Sequence, residues 1–130
     1  MFQSDKIGSN TTMTRKSAHI AIGKKGEIIA LEHLRLQGHE ILATNWRHGK
    51  GELDIVSTMD QFIIITEVKT RSDSKYGAPH EDVDNRKQEL LEETAEAYVN
   101  ENCIDLELRF DIISITLQPQ LLIDHIEDAF

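Results

Sequence analysis

The chain has 130 residues, the size of a single domain, and its 39% hydrophobic and 28% charged residues are typical of a soluble globular protein. No apolar run approaches the roughly 18 residues that a membrane-spanning helix needs, so no membrane is expected as a partner. The lone cysteine, Cys103, excludes an internal disulfide and a zinc knuckle built from cysteines.

Charge is unevenly distributed along the chain, whose formal net charge is −9. Residues 15–75 contain ten Lys and Arg against eight Asp and Glu, whereas residues 76–130 contain three against fourteen. The acidic second half counts against extensive contact with nucleic-acid phosphates. A basic face in the first half is compatible with such contact, although scattered solvated charges explain its members equally well. The members are Arg15, Lys16, Lys24, Lys25, Arg47, Lys50, Arg71 and Lys75.

The first elements predicted in chain order are a polar lead-in, a helix and a three-stranded meander. Residues 1–16 lack the apolar core of a signal peptide, so we expect a disordered lead-in and a cytoplasmic protein. Helical spacing predicts a helix over residues 17–37, ended by Gly38. Its apolar positions are Ile20, Ala30, Leu31 and Leu34. Three strands, HEILATNWR, ELDIVST and FIIITEVKT, follow with turns between them.

The second half continues with a helix and a long strand. Helical spacing recurs over residues 83–100, and Asp82 or Asp84 is placed to cap the start of this helix. The apolar strand LELRFDIISITL follows, and then a short tail, LLIDHIEDAF. A strand, a helix and a strand in succession normally form a right-handed crossover between parallel strands. We therefore expect one domain, residues 17–130, with an α-β-β-β-α-β order and a mixed sheet flanked by helices.

Polar side chains interrupt the hairpin GELDIVSTMDQFIIITEVKTR. If Asp60 and Gln61 form a two-residue turn, Asp54 lies opposite Glu67, and Lys69 points to the same face as Glu67. Two carboxylates paired across a sheet repel each other unless a cation lies between them. The register therefore favours a metal site, although a cross-strand salt bridge to Lys69 on a solvated face explains the same pattern.

Oxygen-only ligation of this kind suits Mg²⁺ or Mn²⁺. A cation held by Asp54 and Glu67 would activate water for attack on a phosphodiester, and Lys69 would orient that water or stabilise negative charge. Glu27 lies on the stripe of the first helix that should face the sheet, where a carboxylate is costly unless it is paired or bound to metal. Glu27 is therefore a third candidate ligand, with a position at the margin of the stripe as the alternative.

The segments GKKGEIIALEHLRLQGHEILATNWR, GELDIV, TEVKTR, YGAP, LRFDIISI and HIEDAF resemble the YraN family of small bacterial proteins. That family is similar to archaeal Holliday-junction resolvases within the PD-(D/E)xK, or restriction-endonuclease-like, superfamily. The resemblance implies the same α-β-β-β-α-β core. It also implies Glu27 as the helix acid, Asp54 and Glu67 as metal ligands, and Lys69 as the catalytic lysine.

The resemblance favours a metal-dependent endonuclease that hydrolyses DNA, including branched or structured DNA, with a homodimer as a further expectation. Arg47, Lys50, Arg71 and Lys75 are the candidate nucleic-acid contacts. Two other classes stay open, because a fold does not determine a function. One is a nucleic-acid-binding protein that does not cut, and the other is a protein-interaction adaptor that uses the acidic second helix.

Overall fold

The computed structural model describes residues 14–73 and 83–130. Within these residues, two helices and five strands follow in the order α1, β1, β2, β3, α2, β4, β5. Their bounds are Arg15–Leu36 (α1), Glu40–His48 (β1), Gly51–Met59 (β2), Phe62–Asp73 (β3), Asn85–Glu101 (α2), Glu107–Gln118 (β4) and Leu122–Ile126 (β5). Lys75, a candidate nucleic-acid contact, and most of the predicted lead-in lie outside the described residues.

The described strands form a mixed sheet in the order β1-β2-β3-β4-β5. β1, β2 and β3 pair antiparallel, as expected of a meander, whereas β3 and β4 pair in parallel. Parallel neighbours require a crossover connection, and α2 lies in that connection. The predicted α/β fold, with its α-β-β-β-α-β core and a mixed sheet flanked by helices, is therefore confirmed.

β5 extends the sheet beyond the predicted core. It pairs antiparallel with β4, from Thr116↔Leu122 to Ile112↔Ile126. The sequence predicts only a tail here, because five mostly exposed residues are too few for a two-residue alternation to show.

Polar side chains and a glycine define the helix ends. The Thr14 hydroxyl accepts a hydrogen bond from the N–H of Ser17 at 3.0 Å, so α1 begins two residues earlier than predicted. Gly38, with φ of +100°, ends it as expected. Asp84 caps α2 by accepting from the N–H of Lys87 at 3.0 Å. Neither described helix is long and apolar enough to cross a membrane.

Each face of the sheet has its own hydrophobic core. The core under α1 consists of Ala30, Leu34, Ile55, Ile113 and Ile115. The core under α2 consists of Leu53, Val56, Ile63, Ile65, Val83, Leu91, Ala95, Tyr98, Phe110 and Ile112. Since successive strand residues point to opposite faces, the separation of Ile112 from Ile113 shows that the two helices cover opposite sides of the sheet.

α1 approaches the sheet closely at Gly26, where a Cβ atom would overlap the side chain of Thr70 on β3. From this point onwards Gly26, Ala30 and Leu34 are buried. The expectation that Ile20 also faces the sheet is wrong, because its side chain is 51% exposed. The buried stripe begins only at Gly26, so the first turns of α1 extend beyond the packed contact.

Candidate functional site

The hairpin of β2 and β3 has the predicted register. Residues 60–61 form the two-residue turn, and the backbone pairs continue from there to Ile55↔Thr66. Asp54 and Glu67 are the next positions on the two strands. The hairpin therefore brings both acids to the same level of the sheet.

Side-chain alternation is interrupted at Asp54. Leu53 belongs to the core under α2 and Ile55 to the core under α1, although residues two apart in a regular strand share a face. The Asp54 carboxylate lies between them and accepts a hydrogen bond from the N–H of Val68 at 2.9 Å. It lines a cleft of about 540 Å³ beside α1 and a smaller one of about 260 Å³ beside α2. Asp54 is thus accessible through a cleft on each side of the sheet.

Glu67 faces α2 and is paired with two lysines. Its side chain is 8% exposed, and its Oε2 atom lies 3.6 Å from Nζ of Lys69 and 2.7 Å from Nζ of Lys87. Lys69 shares the face of Glu67, as predicted, whereas Lys87 comes from the first turn of α2. A buried carboxylate without a partner costs several kcal/mol, so these two ammonium groups are what make its position tolerable.

Glu27 reaches the site from α1 through Asn45. The Asn45 amide donates to Oε1 and Oε2 of Glu27 at 3.2 and 3.3 Å, and to Oε2 of Glu52 at 3.4 Å. Asn45 has φ of +51°, a left-handed conformation that asparagine adopts more readily than most residues. Glu27 and Glu52 line the same cleft as Asp54, so the helix acid does face the hairpin site as predicted.

Four acids, Glu27, Glu52, Asp54 and Glu67, form the acidic cluster of the site. Burial raises the pKa of Asp54 to about 7, and the negative charges of Glu67, Glu27 and Glu52 act in the same direction against the hydrogen bond from Val68. Burial alone would lower the pKa of Lys87, but hydrogen bonding and the charge of Glu67 outweigh it and raise the pKa. Asp54 is therefore an acid whose ionised form would be stabilised by an added positive charge.

The candidate nucleic-acid contacts lie at different places around the site. Arg47 is 77% exposed at the rim of the larger cleft, with its guanidinium 3.7 Å from Glu52. Lys50 lines the smaller cleft, beside Asp54. Arg71 lies away from both, in a third cleft shared with the N-terminal part of α1. Arg47 and Lys50 are therefore next to the acidic cluster, whereas Arg71 is not.

The residues of the site have the side-chain chemistry of metal ligands, but their positions do not form a ready-made metal site. In the described ranges, 14–73 and 83–130, no three His, Cys, Asp or Glu side chains are close enough to hold a metal ion as they stand. The carboxylates of Asp54 and Glu67 are nevertheless the ligand type that hard divalent cations prefer. The ligand set of Glu27, Asp54 and Glu67 stays a prediction.

Three residues of the site were not predicted: Asn45, Glu52 and Lys87. The sequence contained one feature that could have identified Lys87 as a site residue. It is a cation on the otherwise apolar stripe of α2, just as Glu27 is an acid on the stripe of α1. Its contact with Glu67 joins residues 20 positions apart in the chain, which periodicity within one helix cannot reveal.

Comparison with known proteins identifies the chain's relatives. A profile of the family described as "Uncharacterised protein family UPF0102" matches residues 26–115. The chain belongs to the UPF0102 family. A UPF0102 protein of Porphyromonas gingivalis is 47% identical over 111 residues, covering 83% of this chain and 82% of that protein. A UPF0102 protein of Flavobacterium psychrophilum is 42% identical over 113 residues, covering 86% and 95% of the two chains.

A third relative shows a similar level of identity. A UPF0102 protein of Thermodesulfovibrio yellowstonii is 39% identical over 113 residues, covering 87% of this chain and 98% of that protein. UPF0102 is the YraN family, so the resemblance seen in the sequence motifs is confirmed. The matched residues 26–115 include every member of the acidic cluster and both of its lysines.

Proposed function

We propose that this UPF0102 protein is a Mg²⁺- or Mn²⁺-dependent endonuclease that hydrolyses phosphodiester bonds in DNA. The observation that carries the proposal is Asp54, a half-buried carboxylate whose pKa is raised to about 7 by burial and by the charge of Glu67. Asp54 lines two clefts, and the neighbouring acid, Glu67, is paired with two lysines. Strongly perturbed acids in a cleft are typical of catalytic sites.

The carboxylates of Asp54 and Glu67 would hold the cation, with Glu27 reaching it from the side of α1. When bound, such a cation lowers the pKa of a coordinated water and neutralises charge on the scissile phosphate. Asp54 keeps one oxygen fixed by the N–H of Val68, which orients the carboxylate before any ligand arrives. This preorganisation means that little rearrangement of Asp54 is needed on binding.

Lys69 and Lys87 would contact the substrate and the attacking water rather than the cation. In the described structure both contact Oε2 of Glu67. With a cation bound at Glu67, the ammonium groups of Lys69 and Lys87 would be repelled from Oε2 of Glu67 and would turn towards substrate oxygens. Lys69, on the same strand face, is suited to orient the attacking water, and Lys87 to contact a non-bridging phosphate oxygen.

The large cleft beside α1 would receive the nucleic-acid strand. It is about 540 Å³, open, and flanked by Lys24 and Arg47. These charges and Lys50 would contact phosphates next to the scissile bond. The acidic second half makes an extended duplex footprint unfavourable, so a short or bent contact, as at a branched DNA, suits the charge distribution.

The experiment measures cleavage of linear, single-stranded and four-way DNA with Mg²⁺, with Mn²⁺ and with a chelator. We expect metal-dependent cleavage that falls by about 100-fold or more in Asp54→Asn and in Lys69→Met. Asp60→Asn is the matched control, because it makes the same change at an exposed turn of the same hairpin. Absence of cleavage on all three substrates, or full activity of Asp54→Asn, would refute the proposal.

One observation favours a second function, a nucleic-acid-binding protein that does not cut. The 2.7 Å ion pair between Lys87 and Glu67 neutralises a ligand acid without any metal. In that case binding to four-way DNA persists in the presence of chelator and weakens with salt, and Asp54→Asn leaves the affinity unchanged or higher. Gel-shift titrations of the same variants separate the two functions.

A further inference from the structure

A second polar cluster lies on the α1 side of the sheet and takes no part in the proposed hydrolysis. It joins His33 of α1, His125 of β5 and Asp111 of β4. His125 is paired with Ile113, a core residue under α1, and Asp111 lies two residues before Ile113 on the same face. The cluster therefore ties the edge strand β5 to the helix.

Asp111 fixes the orientation of His125. Its carboxylate is fully buried and accepts two hydrogen bonds from Arg109, at 2.9 and 2.8 Å, and one from the N–H of Asp128 at 3.1 Å. It lies 2.8 Å from Nε2 of His125. An ionised carboxylate only accepts hydrogen bonds, so Nε2 of His125 must carry a proton. In the neutral imidazole, Nδ1 of His125 then presents a lone pair.

The second imidazole lies within hydrogen-bonding distance of that lone pair. Nδ1 of His125 lies 3.1 Å from Nε2 of His33. Two nitrogens at about 2.0–2.1 Å from one Zn²⁺ with tetrahedral geometry are roughly 3.3 Å apart, close to this spacing. Without a metal, a proton on Nε2 of His33 would be donated to Nδ1 of His125.

The arrangement around His125 has the form found at metal-bound histidines. Such a histidine typically uses one ring nitrogen for the metal and donates the other N–H to a carboxylate, which fixes the tautomer and raises the basicity of the ligand. Asp111 occupies the position of that carboxylate. Imidazole ligands select Zn²⁺, Ni²⁺ or Cu²⁺ over Mg²⁺ and Mn²⁺, which prefer oxygen. The cluster thus differs in ligand chemistry from the acidic site.

We propose that His33 and His125 bind a borderline transition-metal cation, with Zn²⁺ as the reference ion, and that Asp111 positions His125 for this role. No third metal-ligating side chain is in place among residues 14–73 and 83–130, so water completes the coordination shell. His39 is the next imidazole, with its ring centre 6.3 Å from that of His125 and its Nδ1 atom 2.8 Å from the Ser57 hydroxyl. The bound ion would cross-link β5 to α1.

The test titrates the full-length protein with ZnCl₂ by calorimetry, in excess MgCl₂ to occupy oxygen-only sites. We expect about one Zn²⁺ per chain, with affinity lowered by about tenfold or more in His33→Gln and in His125→Gln. His19→Gln is the matched control, since His19 is an exposed histidine of the same helix. The double variant Asp54→Asn, Glu67→Gln should retain Zn²⁺ binding, which separates this site from the acidic cluster.

NMR of the wild-type protein provides a readout that does not depend on the folding of any variant. Long-range ¹H–¹⁵N spectra should show Nε2 of His33 and Nδ1 of His125 shifting together on addition of Zn²⁺. Unchanged imidazole nitrogens at saturating Zn²⁺, or binding lost in the double variant but kept in His33→Gln, would overturn the proposal and leave the pair as a hydrogen bond alone. DNA cleavage plays no part in either measurement, so failure of the proposed nuclease leaves this test unaffected.

Discussion

Two aspartates of the same sheet, Asp54 on β2 and Asp111 on β4, have opposite environments. Burial raises the pKa of Asp54 to about 7, with the charge of Glu67 acting in the same direction. Burial alone would also raise the pKa of Asp111, but hydrogen bonds from His125 and Arg109 outweigh it and lower the pKa to about 2. Burial acts in the same direction on both carboxyl groups, so the opposite shifts come from their partners.

The difference separates a structural carboxylate from one that is available for chemistry. Asp111 is the centre of a completed network in which cations and N–H groups surround it. Asp54 has one N–H donor and three acids near it. A group that the fold leaves under-neutralised costs stability and is tolerated where a ligand supplies the missing charge. Removing the aspartate charge from each cluster in turn should therefore change stability in opposite directions.

The largest effect is expected for Asp111→Asn. The side chain of Arg109 is only 11% exposed, and the change removes the carboxylate 2.8 Å from its guanidinium, leaving the longer 3.9 Å contact with the exposed Glu127. We expect a loss of about 3–5 kcal/mol in the free energy of unfolding, measured by urea denaturation at pH 7. Asp105→Asn, at an exposed loop position before β4, should change stability by less than about 0.5 kcal/mol.

The same network predicts the acid sensitivity of the protein. Because the pKa of Asp111 is lower in the folded state than in the unfolded state, its contribution is complete above about pH 4 and is lost as the pH falls towards about 2. Wild type should therefore lose stability over this range more steeply than Asp111→Asn. Parallel pH profiles of the two proteins would contradict the role given to Asp111.

A smaller effect is expected for Lys87→Met. The change removes the ammonium 2.7 Å from Glu67, so the metal-free protein should lose about 1–2 kcal/mol of stability at pH 8. Removing a competing cation should also increase the stabilisation by Mn²⁺, measured as the shift in melting temperature on adding MnCl₂. Arg86→Met, at the exposed neighbouring position of α2, should show neither change.

Asp54→Asn should have the opposite sign from Asp111→Asn. A folded-state pKa above the unfolded value means that ionising Asp54 destabilises the fold, progressively as the pH rises from about 4 through about 7. With chelator present, the variant should gain on the order of 1 kcal/mol at pH 8, and the gain should vanish near pH 4. A loss of stability at pH 8 would contradict the raised pKa of Asp54, because Asn retains an oxygen that accepts the hydrogen bond from Val68.

The smallest effect concerns Thr66, whose register partners are Ile55 and Asp111. Its buried hydroxyl is the side-chain oxygen that finds no hydrogen-bond partner among the described residues. Thr66→Val keeps the shape and removes the unsatisfied group, so we expect a gain of about 0.5 kcal/mol in urea denaturation. A loss instead would mean that water satisfies the hydroxyl.

Local patterns were sufficient for much of the fold and for half of the acidic site. Helical spacing and Gly38 define α1, and Asp84 caps α2 as one of two predicted candidates. The two-residue turn at Asp60 sets the hairpin register, because side chains in a strand alternate and the pairing on either side of a turn is fixed by its length. The same register brings Asp54 level with Glu67.

Such local patterns could not predict contacts between segments that are distant in the chain. His33 and His125 are 92 residues apart in the chain, and the residues around each give no indication of its partner. The interruption of alternation at Asp54 is equally hidden, since the residues around it read as a regular strand. Only packing of α1 and α2 on opposite faces determines that Asp54 is open to both sides.

Residue order and periodicity are enough to specify the order of the elements, the hairpin register and the presence of acids and a lysine where a sheet normally buries apolar groups. These follow from periodicity, which depends on residues a few positions apart. Which partner satisfies each charge depends on the folded chain: Lys87 at Glu67, Asn45 at Glu27, and Arg109 at Asp111. Burial and partner geometry set the energy of a charge, and both depend on segments that come together only when the chain folds.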